Sequence, residues 1–221
     1  MDTSEFFNPA ILTPLLDALS LAGIALFALS GAVIAAKQGQ TLVTLAFFGL
    51  LTGVGGGTVR DLLIGAPVFW MTDPWVAPLC LGMALLAWFT PVRLWEGKLF
   101  DYADGAGLAA FAMLGSAKAL AYGIPPVPAA LMGVITGCVG GIIRDVVAGR
   151  PTILLGPELY ITAAALSSAL CVGGMMVAEA VGLSKNLVSV TAFAAGFALR
   201  SAAIHWEIGL PTYRGAIERA S

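Results

Sequence analysis

The chain has 221 residues, 59% of them hydrophobic and only 11% charged, with a formal net charge of −2. An ordinary soluble domain carries about 25% charged residues, so this composition excludes a water-soluble fold and describes an integral membrane protein. The balance of charge gives no basic field for nucleic acid, and the three cysteines, Cys80, Cys138 and Cys171, lie in apolar segments without metal-ligand spacing and read as small buried hydrophobes.

In chain order, Met1 to Thr13 carries Asp2 and Glu5 but no Lys or Arg, so it lacks the basic start of a signal peptide, and the first span is expected to stay in the mature protein. That span runs from about Leu15 to Ala36, a length suited to one crossing, and Lys37-Gln38-Gly39-Gln40 closes it. The second apolar run, Thr41 to Trp70, is too long for one straight helix across a bilayer. After the turn at Thr72-Asp73-Pro74, a third span covers about Trp75 to Pro91, with Trp70, Trp75, Trp88 and Trp95 at interfacial depths. The polar loop Arg93 to Lys98 precedes span four, about Leu99 to Tyr122. Span five runs from about Val127 to Val147, span six from about Leu159 to Val181, and span seven from about Leu187 to Trp206, before a short polar tail with Arg214, Glu218 and Arg219.

Two of these spans contain residues that a plain hydrophobic helix should avoid. The second holds Gly53-Val54-Gly55-Gly56-Gly57-Thr58-Val59-Arg60-Asp61, and the fifth holds Gly137-Cys138-Val139-Gly140-Gly141-Ile142-Ile143-Arg144-Asp145. Clustered glycines cost a helix up to about 1 kcal/mol each, which predicts a break in both spans, as two half-helices or a re-entrant end. Charges at bilayer depth cost at least about 2.5–3.5 kcal/mol, so Arg60, Asp61, Arg144 and Asp145 need partners or a watery cavity. The two stretches share a constant offset of 84 residues, which extends back through Gly49/Gly133, Thr52/Thr136, Gly31/Gly115, Phe27/Phe111 and Gly23/Gly107. This is an internal duplication. With three spans per copy, the second copy must enter the membrane upside down, giving inverted repeats over about 15–95 and 99–182 with a seventh helix appended. The whole chain, 1–221, then forms one all-α membrane domain. Lys37, Arg93, Lys98, Arg150, Arg214 and Arg219 fall on one side and Lys185 on the other, so the amino terminus is expected outside and the carboxyl terminus in the cytoplasm.

Broken helices near the midplane expose backbone groups to ions or solute, so the expected product is a permeation path. The plainer alternative is that the glycines only permit tight helix crossing and that each Arg–Asp pair holds the fold. Adjacent helical residues point about 100° apart, so the cross-repeat pairs Arg60–Asp145 and Arg144–Asp61 are expected to join the two halves. Lys118 is a feature of one copy, since Ile34 occupies its place in the other; it either snorkels or lines the pore. Asp17, Asp101 and Asp104 are read as helix-start residues, and Arg200 as snorkelling toward cytosolic phosphates. His205, near the end of span seven, is read as interfacial. No nucleophile elbow, zinc-protease or phosphate-loop pattern occurs, so no enzyme activity, metal or other cofactor is expected.

The paired Gly-Gly-Gly-x-x-Arg-Asp-like motifs in three-helix repeats, followed by a seventh helix, resemble the prokaryotic trimeric intracellular cation (TRIC) channel family, also labelled a glycine transporter family. The resemblance covers about Leu15 to Trp206. It implies a homotrimer in the inner membrane, embedded in lipid, with a pore in each protomer that conducts K⁺ and, less selectively, Na⁺. It carries pore or gating roles onto Gly55, Gly56, Gly57, Arg60 and Asp61. Val139 stands where the first copy has Gly55, so the second motif carries over only at Gly140, Gly141, Arg144 and Asp145, and span five is expected to bend less. The basic residues that bind phosphoinositide in animal members are missing, so lipid regulation is not implied. The competing function is a secondary transporter for a small solute such as glycine, which would use the same inverted repeats.

Overall fold

The apolar runs become helices, and polar or Gly-Pro punctuation ends them. The computed structural model describes residues 14–95, 97–153 and 158–211; Asp2, Glu5, Arg214, Glu218 and Arg219 lie outside them. The helices are α1 (Pro14–Lys37), α2 (Leu42–Leu63), the one-turn α3 (Phe69–Thr72), α4 (Val76–Phe89), α5 (Lys98–Ala121), α6 (Pro126–Val147), α7 (Tyr160–Val181) and α8 (Lys185–Trp206), with a 3₁₀ turn at Val92–Trp95. Five of them, α1, α2, α6, α7 and α8, are long and apolar enough to cross a membrane. The molecule is an all-helical membrane protein.

The expected breaks at the glycine motifs do not occur. Both α2 and α6 run as continuous helices through them. The excess length of the second apolar run is resolved further along, where Gly65 adopts φ +69° and the chain turns before α3. Only glycine takes that left-handed conformation without cost, and Gly149, with φ +64°, does the same after α6.

What the glycines in the motifs do is admit a neighbouring backbone. A Cβ on Gly56 would run into the Thr136 carbonyl oxygen, and one on Gly140 would lie 2.7 Å from that of Thr52. As α2 advances four residues from Thr52 to Gly56, α6 retreats four from Gly140 to Thr136, so the two helices cross antiparallel. In lipid, where association depends on close packing, small residues at such a crossing stabilise it enough to offset their low helix propensity.

The contacts come in pairs related by the 84-residue offset. Gly23 abuts the Phe111 ring and Gly107 the Phe27 ring; Gly49 faces the Ala28 carbonyl and Gly133 the Ala112 carbonyl. Phe27 and Phe111, themselves equivalent, stack at a tilt with ring centroids 5.0 Å apart. They sit in the main core with Ile24, Val54, Cys80, Leu108, Cys138 and Tyr160. All three cysteines are buried free thiols.

Candidate functional site

Past the crossing, the last turns of α2 and α6 diverge, and each ends in its Arg–Asp pair. At the end of α2, Arg60 Nε donates to Asp61 Oδ1 at 2.9 Å. Lys118 Nζ, arriving from the last turn of α5, reaches the same oxygen at 2.8 Å. The other oxygen, Asp61 Oδ2, accepts the Phe69 backbone N–H at 2.9 Å and so pins the returning chain. Asp61 is fully buried and Arg60 nearly so. The Phe69 ring lies where Gly57 leaves room, since a Cβ there would be 2.5 Å from it, and it faces the Arg60 guanidinium at 5.9 Å.

At the end of α6 the same frame recurs. Arg144 Nε donates to Asp145 Oδ1 at 2.9 Å, and Asp145 Oδ2 accepts the Ile153 N–H at 3.3 Å. Ile153 is the residue equivalent to Phe69. The rest differs. Arg144 reaches across with its second nitrogen to the carboxylate of Asp104 on α5 and to Ser30 Oγ on α1, the latter at 2.8 Å. Gly141 abuts the Tyr160 hydroxyl, as a Cβ there would lie 2.9 Å from it, and the Phe100 ring faces Arg144 at 5.5 Å. Asp104 Oδ2 and the Tyr160 hydroxyl are buried with no hydrogen-bond partner among the described residues.

The expected cross-repeat bridges, Arg60–Asp145 and Arg144–Asp61, are therefore not formed. Although neighbouring Cβ directions on a helix diverge by about 100°, the flexible arginine stem curls back so that Nε meets the adjacent carboxylate. The link between halves is made by Lys118 of α5 to Asp61 and by Arg144, itself paired with Asp104 of α5, to Ser30 of α1. Asp104 was read as a helix-start residue; it is buried within α5 and serves as an ion-pair partner. The available signal was that its counterpart in the first copy is Ser20. Arg200 does not reach for phosphates either: it is 2% exposed and pairs with Glu158. Of the residues singled out in sequence, Gly56 and Gly140 form the crossing, Gly55 lies against Ile143, and the two Arg–Asp pairs with Lys118 occupy opposite sides of it. Ser30, Asp104 and Tyr160 complete the second cluster and were not anticipated.

The chain as a whole resembles known proteins in sequence and in fold. The sequence family described as glycine transporter matches twice, over residues 17–91 and 101–176. The chain belongs to that family. It is 36% identical to a UPF0126 membrane protein of Vibrio cholerae over 92% of this chain and 85% of the relative. It is 34% identical to the UPF0126 inner membrane protein YadS of Escherichia coli K12, over 88% and 94%. Among solved structures, the TRIC trimeric intracellular cation channel orthologue from Rhodobacter sphaeroides superposes with a TM-score of 0.78 at 36% identity, covering 88% of this chain and 99% of that one. A structure of a prokaryotic TRIC channel in 0.5 M KCl superposes with a TM-score of 0.77 at 27% identity, covering 89% and 98%. The fold is that of the TRIC channels, and the twofold family match falls on the two copies seen in the sequence.

Proposed function

We propose that the chain is a membrane cation channel, conducting K⁺ and Na⁺ through a pore in each protomer of a homotrimer. The observation that carries this reading is the likeness, over nearly the whole chain, to structures described as TRIC cation channels. In this reading the seven helices α1, α2, α4, α5, α6, α7 and α8, the shorter α4 included, all cross the membrane as one domain. The first three crossings and the next three form inverted repeats, α8 is appended, the amino terminus is outside and the carboxyl terminus cytoplasmic. The paired contacts across the α2–α6 crossing support such an arrangement, because antiparallel equivalent helices are what inversion produces. The path runs beside that crossing. Gly55, Gly56, Gly57, Gly140 and Gly141 set its width, and Arg60, Asp61, Lys118, Arg144 and Asp145 set its field and its gating. Paired guanidinium groups suit a cation path, since bare ones would repel the permeant ion.

A second reading, a secondary transporter for a small solute such as glycine, is favoured by the family description alone. The two separate in one experiment. Purified protein in planar bilayers with KCl should give unitary current steps if it is a channel. Saturable, solute-coupled flux in liposomes without such steps would instead establish the transporter.

A further inference from the structure

We propose that α5 makes the conduction path electrically polar, so that it passes cations more readily from the Arg144 end toward the Arg60 end than in reverse. The proposal rests on the channel reading and goes beyond it.

The two Arg–Asp pairs are equivalent and neutral, so by themselves they would leave a symmetric field. The two residues that complete them are not equivalent. Lys118 adds a cation to the first, giving two cations around one carboxylate. Asp104 adds a carboxylate to the second, giving one cation between two carboxylates. Their counterparts on α1 are Ile34 and Ser20, which carry no charge. Both completing residues lie on α5, fourteen positions apart, which at 1.5 Å per residue places them about 21 Å apart along its axis. One helix thus sets an excess positive charge at one end of the path and an excess negative charge at the other, two-thirds or so of a bilayer core apart.

Other charges do not cancel this polarity. Lys37, Arg93, Lys98, Arg150 and Glu207 at the Arg144 end, and Asp17 and Lys185 at the other, are exposed to water and screened by salt, as is the partly exposed Asp73 in the turn after α3, whereas the clusters are largely buried. Arg200 is neutralised by Glu158. Asp101, half-buried near the start of α5, has the same sign as Asp104.

A cation entering at the Arg144 end meets a well first and its barrier last. When driven that way it gains most of the membrane field before reaching the barrier; driven the other way it meets the barrier after only a small part of the drop. The current should therefore grow more steeply in the first direction, and a ratio of about fivefold between the two polarities at 100 mV is expected for one charge crossing a barrier so displaced.

The test uses the full chain in inside-out patches with symmetric KCl. The face occupied by the Arg144 end is read separately by labelling an Arg150→Cys variant with a membrane-impermeant thiol reagent, Arg150 being exposed at that end. Wild type should rectify about fivefold, with cations favoured away from the labelled face. Lys118→Met, which neutralises the barrier cluster and leaves its Arg–Asp pair intact, should bring the ratio below about twofold, whereas Asp104→Asn, which removes the well and leaves the barrier displaced, should keep the rectification and lower the conductance at low KCl. A linear wild-type current, rectification of the opposite sense, an unchanged ratio in conducting Lys118→Met, or a ratio lost in conducting Asp104→Asn overturns the polarity. The absence of any unitary current in wild type would remove the channel reading beneath it, an outcome distinct from a linear current.

Discussion

The two ends of the α2–α6 crossing begin from the same motif and finish as different devices. At one end a carboxylate is the hub: Asp61 holds Arg60, Lys118 and the Phe69 N–H, and no other carboxylate among the described residues pairs with either cation. At the other end a guanidinium is the hub: Arg144 is held by Asp145, Asp104 and Ser30, so that any one contact can be lost while others remain. Duplication supplied the common frame, an Arg–Asp pair whose carboxylate also anchors the chain eight residues on. Divergence on α5 decided which partner became indispensable. The difference teaches that equivalence in sequence does not carry over to equivalence in energy.

The sharpest way to break this comparison is to remove the carboxylate at each end. Asp61→Asn leaves Arg60 and Lys118 buried around a neutral amide, a loss of the kind that costs about 3–5 kcal/mol for buried pairs. Asp145→Asn leaves Arg144 with Asp104 and should cost less than half as much. Thermal unfolding of the two variants in the same detergent should show the Asp61 variant markedly less stable, or recovered in much lower yield. Equal losses would mean that the two ends are equivalent after all.

The glycines supply a smaller contrast on the same axis. Gly56→Ala would drive a methyl into the Thr136 carbonyl, whereas Gly140→Ala would press on that of Thr52 from 2.7 Å, a backbone contact also too close but less severe. Overpacking of this kind costs about 1–3 kcal/mol. The Gly56 variant should unfold at the lower temperature, while Gly82→Ala, with nothing near its added methyl and inside α4, should hold stability or raise it by up to about 1 kcal/mol. If all three behaved alike, the close crossing would not be what the glycines serve.

Coupling measurements sharpen the comparison further. A double-mutant cycle between Lys118→Met and Asp61→Asn should give an interaction energy within the range of about 0.5–3 kcal/mol found for residues in contact. The cycle between Arg60→Met and Asp145→Asn should give close to zero, because those residues share no contact. Coupling in the second pair and none in the first would restore the bridge expected from sequence and remove the one built by α5.

Much of the helical layout was legible because lipid imposes a length on apolar runs. The fifth span was expected from about Val127 to Val147, and α6 is Pro126–Val147; span four, about Leu99 to Tyr122, is α5 at Lys98–Ala121. The all-helical membrane class was legible in the composition, and the kinship with the TRIC channels in the doubled glycine and Arg–Asp motif. What could not be read was what the glycines were for. A glycine that breaks a helix and one that admits a neighbour look alike until the neighbour is placed, and here Thr136 and Thr52 are the neighbours. The ion-pair partners were obscured for a related reason. The divergence of adjacent helical residues by about 100° made Asp145 attractive for Arg60, whereas the actual completing residues, Lys118 and Asp104, are the ones where the copies disagree. A position at which two copies of a repeat differ in charge is where asymmetry of function should first be sought.

The smallest expected effect tests the redundancy of the Arg144 end. Ser30 Oγ accepts from Arg144 at 2.8 Å and also lies 3.4 Å from Asp104 and 3.1 Å from the Phe27 carbonyl on its own helix. Ser30→Ala removes one hydrogen bond to a charged donor that keeps two carboxylates, so no buried charge is stranded. The alanine costs nothing in helix propensity and adds no volume. The net loss should therefore stay at the low end for a hydrogen bond to a charged group, about 1.5 kcal/mol, below that of Asp61→Asn. Thermal unfolding of the Ser30 variant beside wild type in one detergent measures it. A loss as large as that at Asp61 would make the serine, with Arg144, a second indispensable hub, and the contrast between a replaceable and an irreplaceable end would fail.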